Sequence, residues 1–306
     1  MANATVYAMP LNHGDKQEYL RLRRNIEGIG KTGLVVAYEF PATESMKHFF
    51  STVMGDPTKD FDQSLILAMK DLSLTGNFIE NIVLNFSEID RAMRMGIVSE
   101  ALPVDIGYNM ADGKGRISHA SARAAREERL GEMLYQEISE GAQFRRIVRV
   151  LKEDMAALLD VQRVRNMEMK RHVEELIRAG KTDIVLMVGT DHIPWMKRNI
   201  GREHIKFQEL EDPKDVAGIW WVNYKAMQEA NRLRHTNMAG IELARLAVML
   251  SMRALKNGAG EGELSEEEVA AVGRIETPQE AERQYLLTQK RYREGAAVEV
   301  AKIKRD

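Results

Sequence analysis

Four polar residues that follow or flank apolar segments have the types to do chemistry together: His13, Glu39, Arg165 and His192. Two neutral imidazoles and a carboxylate suit a first-row divalent ion (Zn, Mn, Co or Fe) that keeps open positions for water. The trio His13, Glu39 and His192 also works without metal, with one histidine as general base and Glu39 fixing its tautomer. In either version Arg165 would hold a carboxylate or phosphate, or stabilise an oxyanion. Each residue has an ordinary role as well. A histidine after a strand caps or hydrogen-bonds, Glu39 can cap the next helix, and Arg165 can pair with Glu168 or Asp160. Their joint placement is what points to a site. His48, His119, His172, His204 and His235 fall in helical or edge-strand patterns and read as structural or solvated.

That placement follows from the elements. Asp183-Ile-Val-Leu-Met-Val-Gly189 is a short apolar run ended by glycine, the pattern of a strand buried on both faces of a parallel sheet. His192 follows it, with Asp191 placed to cap a short helix whose first turn admits Pro194. Thr5 to Leu11 reads as a strand in which Pro10 predicts an early end to pairing, and His13 comes next. Leu34 to Phe40 reads as another strand with Glu39 at its end. Between them Asp15 and Glu18 open a helix that Gly28 and Gly30 close. Strand, helix and strand within about 35 residues make a βαβ unit with parallel strands. His13 and Glu39 then share one edge, the carboxyl edge where open α/β sheets bind ligands. Arg165 lies fourteen steps before Ala179 on a helix, about 21 Å. Asp183 to Gly189 is six strand steps, about 20 Å, so the returning helix brings Arg165 level with Gly189.

The rest of the chain supports one α/β domain with a helical addition. Residues 44–98 read as a helical insertion. Ala101 to Tyr108 has strand character, which would put Asp105 on the same edge. Helices from about 117 to 140 and 144 to 179 carry Arg123, Arg126, Arg129, Arg145, Arg146, Arg149 and Lys152. Those cations read as a solvated face, with a phosphate- or RNA-binding stripe as the alternative. His204 to Leu210 alternates like an edge strand. Beyond Asp215 the pattern is helical, and Ile241 to Leu255 is apolar around most of its circumference. The expected fold class is α/β, a mainly parallel sheet flanked by helices. Residues 1–212 form the core and 213–306 a helical extension that covers the site in part and joins subunits into a homo-oligomer.

Composition excludes several classes. With 44 Lys and Arg against 46 Asp and Glu in 306 residues, no net field argues for nucleic acid. Absence of cysteine removes thiol nucleophiles, disulfides and iron–sulfur clusters. The N-terminus lacks the pattern of a signal peptide, and the Ile241 segment is too short for a bilayer, so a cytoplasmic protein without a membrane partner is expected. Gly28-Ile-Gly-Lys-Thr-Gly33 is no phosphate loop: Asn25 stands where the first glycine belongs, and a helix precedes it where a strand should. Neither His-Glu-x-x-His nor Gly-x-Ser-x-Gly occurs.

At His13, Glu39, Arg165-Asn166 and Gly189-Thr-Asp-His192 the chain resembles the superfamily of TraB-type proteins, Tiki proteases, ChaN-like haem-binding proteins and erythromycin esterases. The resemblance runs from residue 5 to about 210. One departure is Pro10, which stands where members often have the glycine of a first Gly-x-x-His. The resemblance implies a metal-assisted or histidine-based hydrolase; the expected reaction is hydrolysis of an ester or amide bond in a small-molecule or peptide substrate. Its alternatives are a haem- or anionic-ligand-binding protein without turnover, and a helical interaction protein with a vestigial site.

Overall fold

Alternate side chains of the apolar strands are buried on opposite faces of one five-stranded sheet, and this pattern organises the molecule. A computed structural model describes residues 3–11, 17–69, 76–105, 129–130, 133, 136–138, 140–200, 204–213, 219–236, 240–258 and 264–303. The strands are β1 (Ala4–Leu11), β2 (Leu34–Pro41), β3 (Val98–Asp105), β4 (Asp183–Gly189) and β5 (Ile205–Glu209). They lie in the order β3-β2-β4-β1-β5, and every pairing is parallel. The expected α/β class with a mainly parallel sheet is therefore observed.

On one face Tyr7, Met9, Val36, Tyr38, Val185 and Met187 join a core with α1 (Glu18–Gly28), α2 (Glu44–Thr52), α3 (Phe61–Met69) and α4 (Gly76–Arg94). On the other, Val6, Ala8, Val35, Ala37, Ile184, Leu186 and Val188 meet Met169, Val173 and Leu176 of α5 (Phe144–Arg178). Ile193, Met196 and Ile200 of α6 (Ile193–Ile200) complete that layer. The chain thus leaves β1 and β2 toward one face and leaves β4, which lies between them, toward the other. Such a divergence opens a crevice at the carboxyl ends of the strands.

Pro10 does not shorten β1 against β4, where pairing runs to Leu11 opposite Gly189. Against β5 it does end early, at Ala8 opposite Glu209. In a parallel strand alternate residues address the same neighbour. Ala8 O accepts from Leu210 N–H on the β5 side, so Pro10 faces that side after β5 has ended. Its missing N–H costs no ladder bond, and Arg21 Nη2 donates to its carbonyl at 2.7 Å.

Two boundaries differ from the sequence expectation. β3 begins at Val98, three residues before Ala101, and ends at Asp105. α1 begins at Glu18 after Gln17, while Asp15 lies outside the described residues. Glu18, expected to help open the helix, is 1 % exposed and accepts from Asn85 Nδ2 at 2.9 Å.

The chain divides into two compact units, residues 1–117 with 162–221, and residues 118–161 with 222–306. Residues 118–161, grouped by sequence with the sheet, thus belong with the C-terminal helices. α5 is shared, its residues through Val161 lying in the helical unit. That unit also contains most of α7 (Ile219–Arg232), together with α8 (Ile241–Gly258), α9 (Glu266–Gly273) and α10 (Pro278–Ile303). Leu243, Leu246, Ala247, Val248 and Met249 of α8 are at most 1 % exposed. α8 packs on α9 and α10, so burial within one chain accounts for its apolar circumference without a second subunit. Among the described residues no helix is long and apolar enough to cross a membrane.

Candidate functional site

Parallel register brings the ends of β2, β3 and β4 together. Tyr38 pairs with Met187 and Pro41 with Asp105, so Glu39 is one residue past the last β2–β4 pair and Asp105 ends the neighbouring strand. From α5, Arg165 reaches both carboxylates. Its Nη2 donates to Glu39 Oε1 at 2.5 Å and to Asp105 Oδ2 at 2.6 Å, and its Nε lies 3.0 Å from Asp105 Oδ2. Arg165 and Glu39 are each 8 % exposed and Asp105 2 %. A fork of N–H donors between two carboxylates is the geometry a guanidinium supplies. Of the partners expected from sequence, Glu168 pairs with Arg171 and Asp160 with Arg234.

Glu39 is held from a second direction, because the backbone N–H of Gly189 donates to its Oε2. A Cβ on Gly189 would lie 3.0 Å from Asp191 Oδ1, 3.3 Å from Glu39 Oε2 and 3.4 Å from His192 Cδ2. The glycine therefore lets three polar side chains close around the strand end.

His192 is 1 % exposed. Its Nδ1 is 2.5 Å from Asn166 Oδ1, and its Nε2 is 3.2 Å from Glu39 Oε1 and 3.8 Å from Asp191 Oδ1. An amide oxygen only accepts, so Nδ1 carries a proton. Asn166, and not Glu39 as expected, fixes the tautomer. Burial acts to lower the His192 pKa; the charges of Glu39 and Asp191 and the Glu39 hydrogen bond outweigh it against the opposing Arg165 charge, and the net shift is upward. His192 also begins α6, its carbonyl accepting from Trp195 and Met196 N–H. Asp191, read as the cap, is displaced from that role, and its Oδ2 accepts from Gln162 Nε2.

Three of the four expected residues, Glu39, Arg165 and His192, thus meet at one point. His13 lies outside the described residues. Among the described residues no group of three His, Cys, Asp or Glu side chains is arranged to hold a metal ion. Glu39 already accepts through both oxygens and His192 has a partner at each ring nitrogen, so these two do not fit a resident ion unaided. The metal version of the site rests on His13. Sequence reasoning gave Asp105 too little weight, although an aspartate ending a strand beside Glu39 carried the same signal as Glu39 itself. Gln162 had no signal, since its role depends on the α5 face turned to β4.

On the opposite face of β2, burial pushes the Tyr38 phenol far above its ordinary pKa. Asn85 Nδ2 donates to that hydroxyl at 3.2 Å and also to Glu18. This second buried polar group backs the strand that carries Glu39.

A scan against protein-family models, a search of curated proteins and a search of solved structures each find no match.

Proposed function

We propose that the chain is a hydrolase of ester or amide bonds that uses His192 to activate water, with Glu39 and Arg165 completing the site. The observation that carries this reading is the buried His192, anchored at Nδ1 by Asn166 and facing Glu39 through Nε2 at the carboxyl edge of the sheet. A buried titratable group with specific charge partners at the ligand-binding edge of an open α/β sheet is placed as functional groups are. Above its raised pKa His192 is neutral with its proton on Nδ1, so Nε2 no longer donates to Glu39, and water attacking the carbonyl carbon passes its proton to that nitrogen. The imidazolium so formed stabilises the tetrahedral oxyanion, Arg165 holds Glu39 in place, and collapse returns the proton from His192 to the leaving group. The substrate class is a small molecule or peptide. A divalent ion bound with His13 would supply a more acidic water at the same place.

The test is hydrolysis of a panel of aryl esters and anilides by the full chain, with chelator and with added Zn²⁺ or Mn²⁺, beside His192→Gln and Glu39→Gln. Turnover that both substitutions abolish, rising with pH through the raised His192 pKa, is expected. No turnover under any of these conditions overturns the reading. Elemental analysis separates the two versions: metal content that falls in His192→Ala favours the ion, and equal content favours acid–base catalysis alone.

A further inference from the structure

The cationic start of α5 is a sequence motif that the site in the sheet leaves unused. The first turn of this 35-residue helix holds no acidic residue, and Arg145, Arg146 and Arg149 occupy its opening positions. Aligned peptide dipoles put the positive end of the helix here, and the first N–H groups have no carbonyl four residues back. Cations therefore stand where anions are stabilised. Glu137 pairs with Arg146, while Arg145 and Arg149 are exposed.

A cleft of about 460 Å³ opens beside this turn, lined by Gly141, Ala142, Gln143, Tyr285, Gln289 and Lys290. Its walls are fixed within the helical unit. Tyr285 donates its hydroxyl to Ala142 O at 2.7 Å, and its ring centroid lies 5.3 Å from that of Phe144. Gly141, at φ 70°, makes the turn that leads into the helix.

A second observation is independent of the helix end. Gln289 is 7 % exposed, and its buried Nε2 has no hydrogen-bond partner. An amide NH₂ group only donates, so the partner it lacks is an acceptor. Lys290 lines the same cleft. The buried donor and the helix N-terminus call for negative oxygen, and Lys290 adds positive charge beside them.

We propose that this cleft binds a small oxyanion, the carboxylate or phosphate group of an organic ligand, with Gln289 Nε2 donating to it and Lys290 and the α5 N-terminus supplying positive charge. The site is built from the helical unit alone and does not depend on the hydrolase reading.

Calorimetric titration of the full chain at constant ionic strength tests it, with inorganic phosphate and benzoate as probes. One saturable site is expected, weakened about tenfold or more by Gln289→Leu and by Lys290→Gln and unchanged by Lys47→Gln on α2. Saturation by phosphate alone identifies a phosphate ligand, and tighter binding of benzoate identifies an organic acid. Lys290 is exposed, so its substitution leaves the fold intact and keeps the test decisive if Gln289→Leu repacks. Failure of both probes to saturate, or binding that survives both substitutions, overturns the proposal.

Discussion

Asn166 Oδ1 lies 2.5 Å from His192 Nδ1, and the two residues are 4 % and 1 % exposed. One amide oxygen thus decides where the imidazole keeps a proton and which nitrogen faces Glu39. Asn166→Leu removes the acceptor and leaves Nδ1 buried without a partner. Losing a group that orients a catalytic histidine is expected to lower turnover by about 10–100-fold, with KM little changed. Asn166→Asp keeps the acceptor and adds a negative charge, so it should retain more activity and move the pH profile upward. Equal activity in wild type and Asn166→Leu would show that this contact has no part in catalysis.

The same histidine makes stability depend on pH. Its folded pKa lies above the ordinary histidine value of 6.5, so the folded chain holds this proton more tightly than the unfolded chain does. The resulting stabilisation is complete below 6.5 and is lost as pH rises through the raised folded value. The difference in melting temperature between wild type and His192→Gln should shrink from slightly acidic to alkaline pH. A difference that grows over that range would contradict the upward shift.

Much of this arrangement is legible in the sequence because parallel strands with apolar runs and glycine stops leave little freedom in register. Glu39 and His192 meet because Gly189 ends one strand and Glu39 nearly ends its neighbour, and rise per residue brings Arg165 level with them. The limit is pairing that sequence does not specify. β4 lies between β1 and β2, so the strands of the first βαβ unit are not adjacent, and nothing in their own residues says so. Asp191 shows the same limit locally. Its position suits a helix cap, but Gln162 on α5 takes its carboxylate and the helix starts one residue later.

Arg165 neutralises two buried carboxylates, and removing it leaves both charged groups away from water. Arg165→Leu is expected to cost about 3–5 kcal/mol, the usual penalty for breaking a buried ion pair from one side. Urea denaturation checks it. Adding Asp105→Asn to that variant should recover part of the loss, because one of the stranded charges is gone. A double variant no more stable than the single one would mean that Asp105 is stabilised by something other than Arg165.

Gly189→Ala tests the crowding at the end of β4. No positive φ is involved at this glycine, so the effect comes from contacts alone. The new methyl group presses on Asp191 Oδ1, Glu39 Oε2 and His192 Cδ2 and should cost about 1–3 kcal/mol. Because it touches Glu39 and His192 together, it should also displace the titration of His192, followed by NMR of the ring protons. A neutral effect on both stability and titration would show that the three side chains have room to move.

Shared use of α5 governs how the chain tolerates truncation. Its N-terminal half buries Ile147, Val148, Leu151 and Met155, and it is tied to later segments of its own unit. Lys152 Nζ donates to Thr236 O at 2.5 Å and Arg234 Nη2 to Asp160 at 2.8 Å, and just before the helix Ala142 O accepts from the Tyr285 hydroxyl. Ending the chain after Asp212 removes every one of those partners while leaving the apolar face of α5 in place. Each large apolar side chain so exposed forfeits about 1.5–3 kcal/mol, and a continuous stripe of them favours association. The truncated chain should therefore aggregate on size-exclusion chromatography even if the sheet still forms. A monodisperse truncated protein with an unchanged melting temperature would show that the sheet-bearing unit and its half of α5 fold without the helical unit.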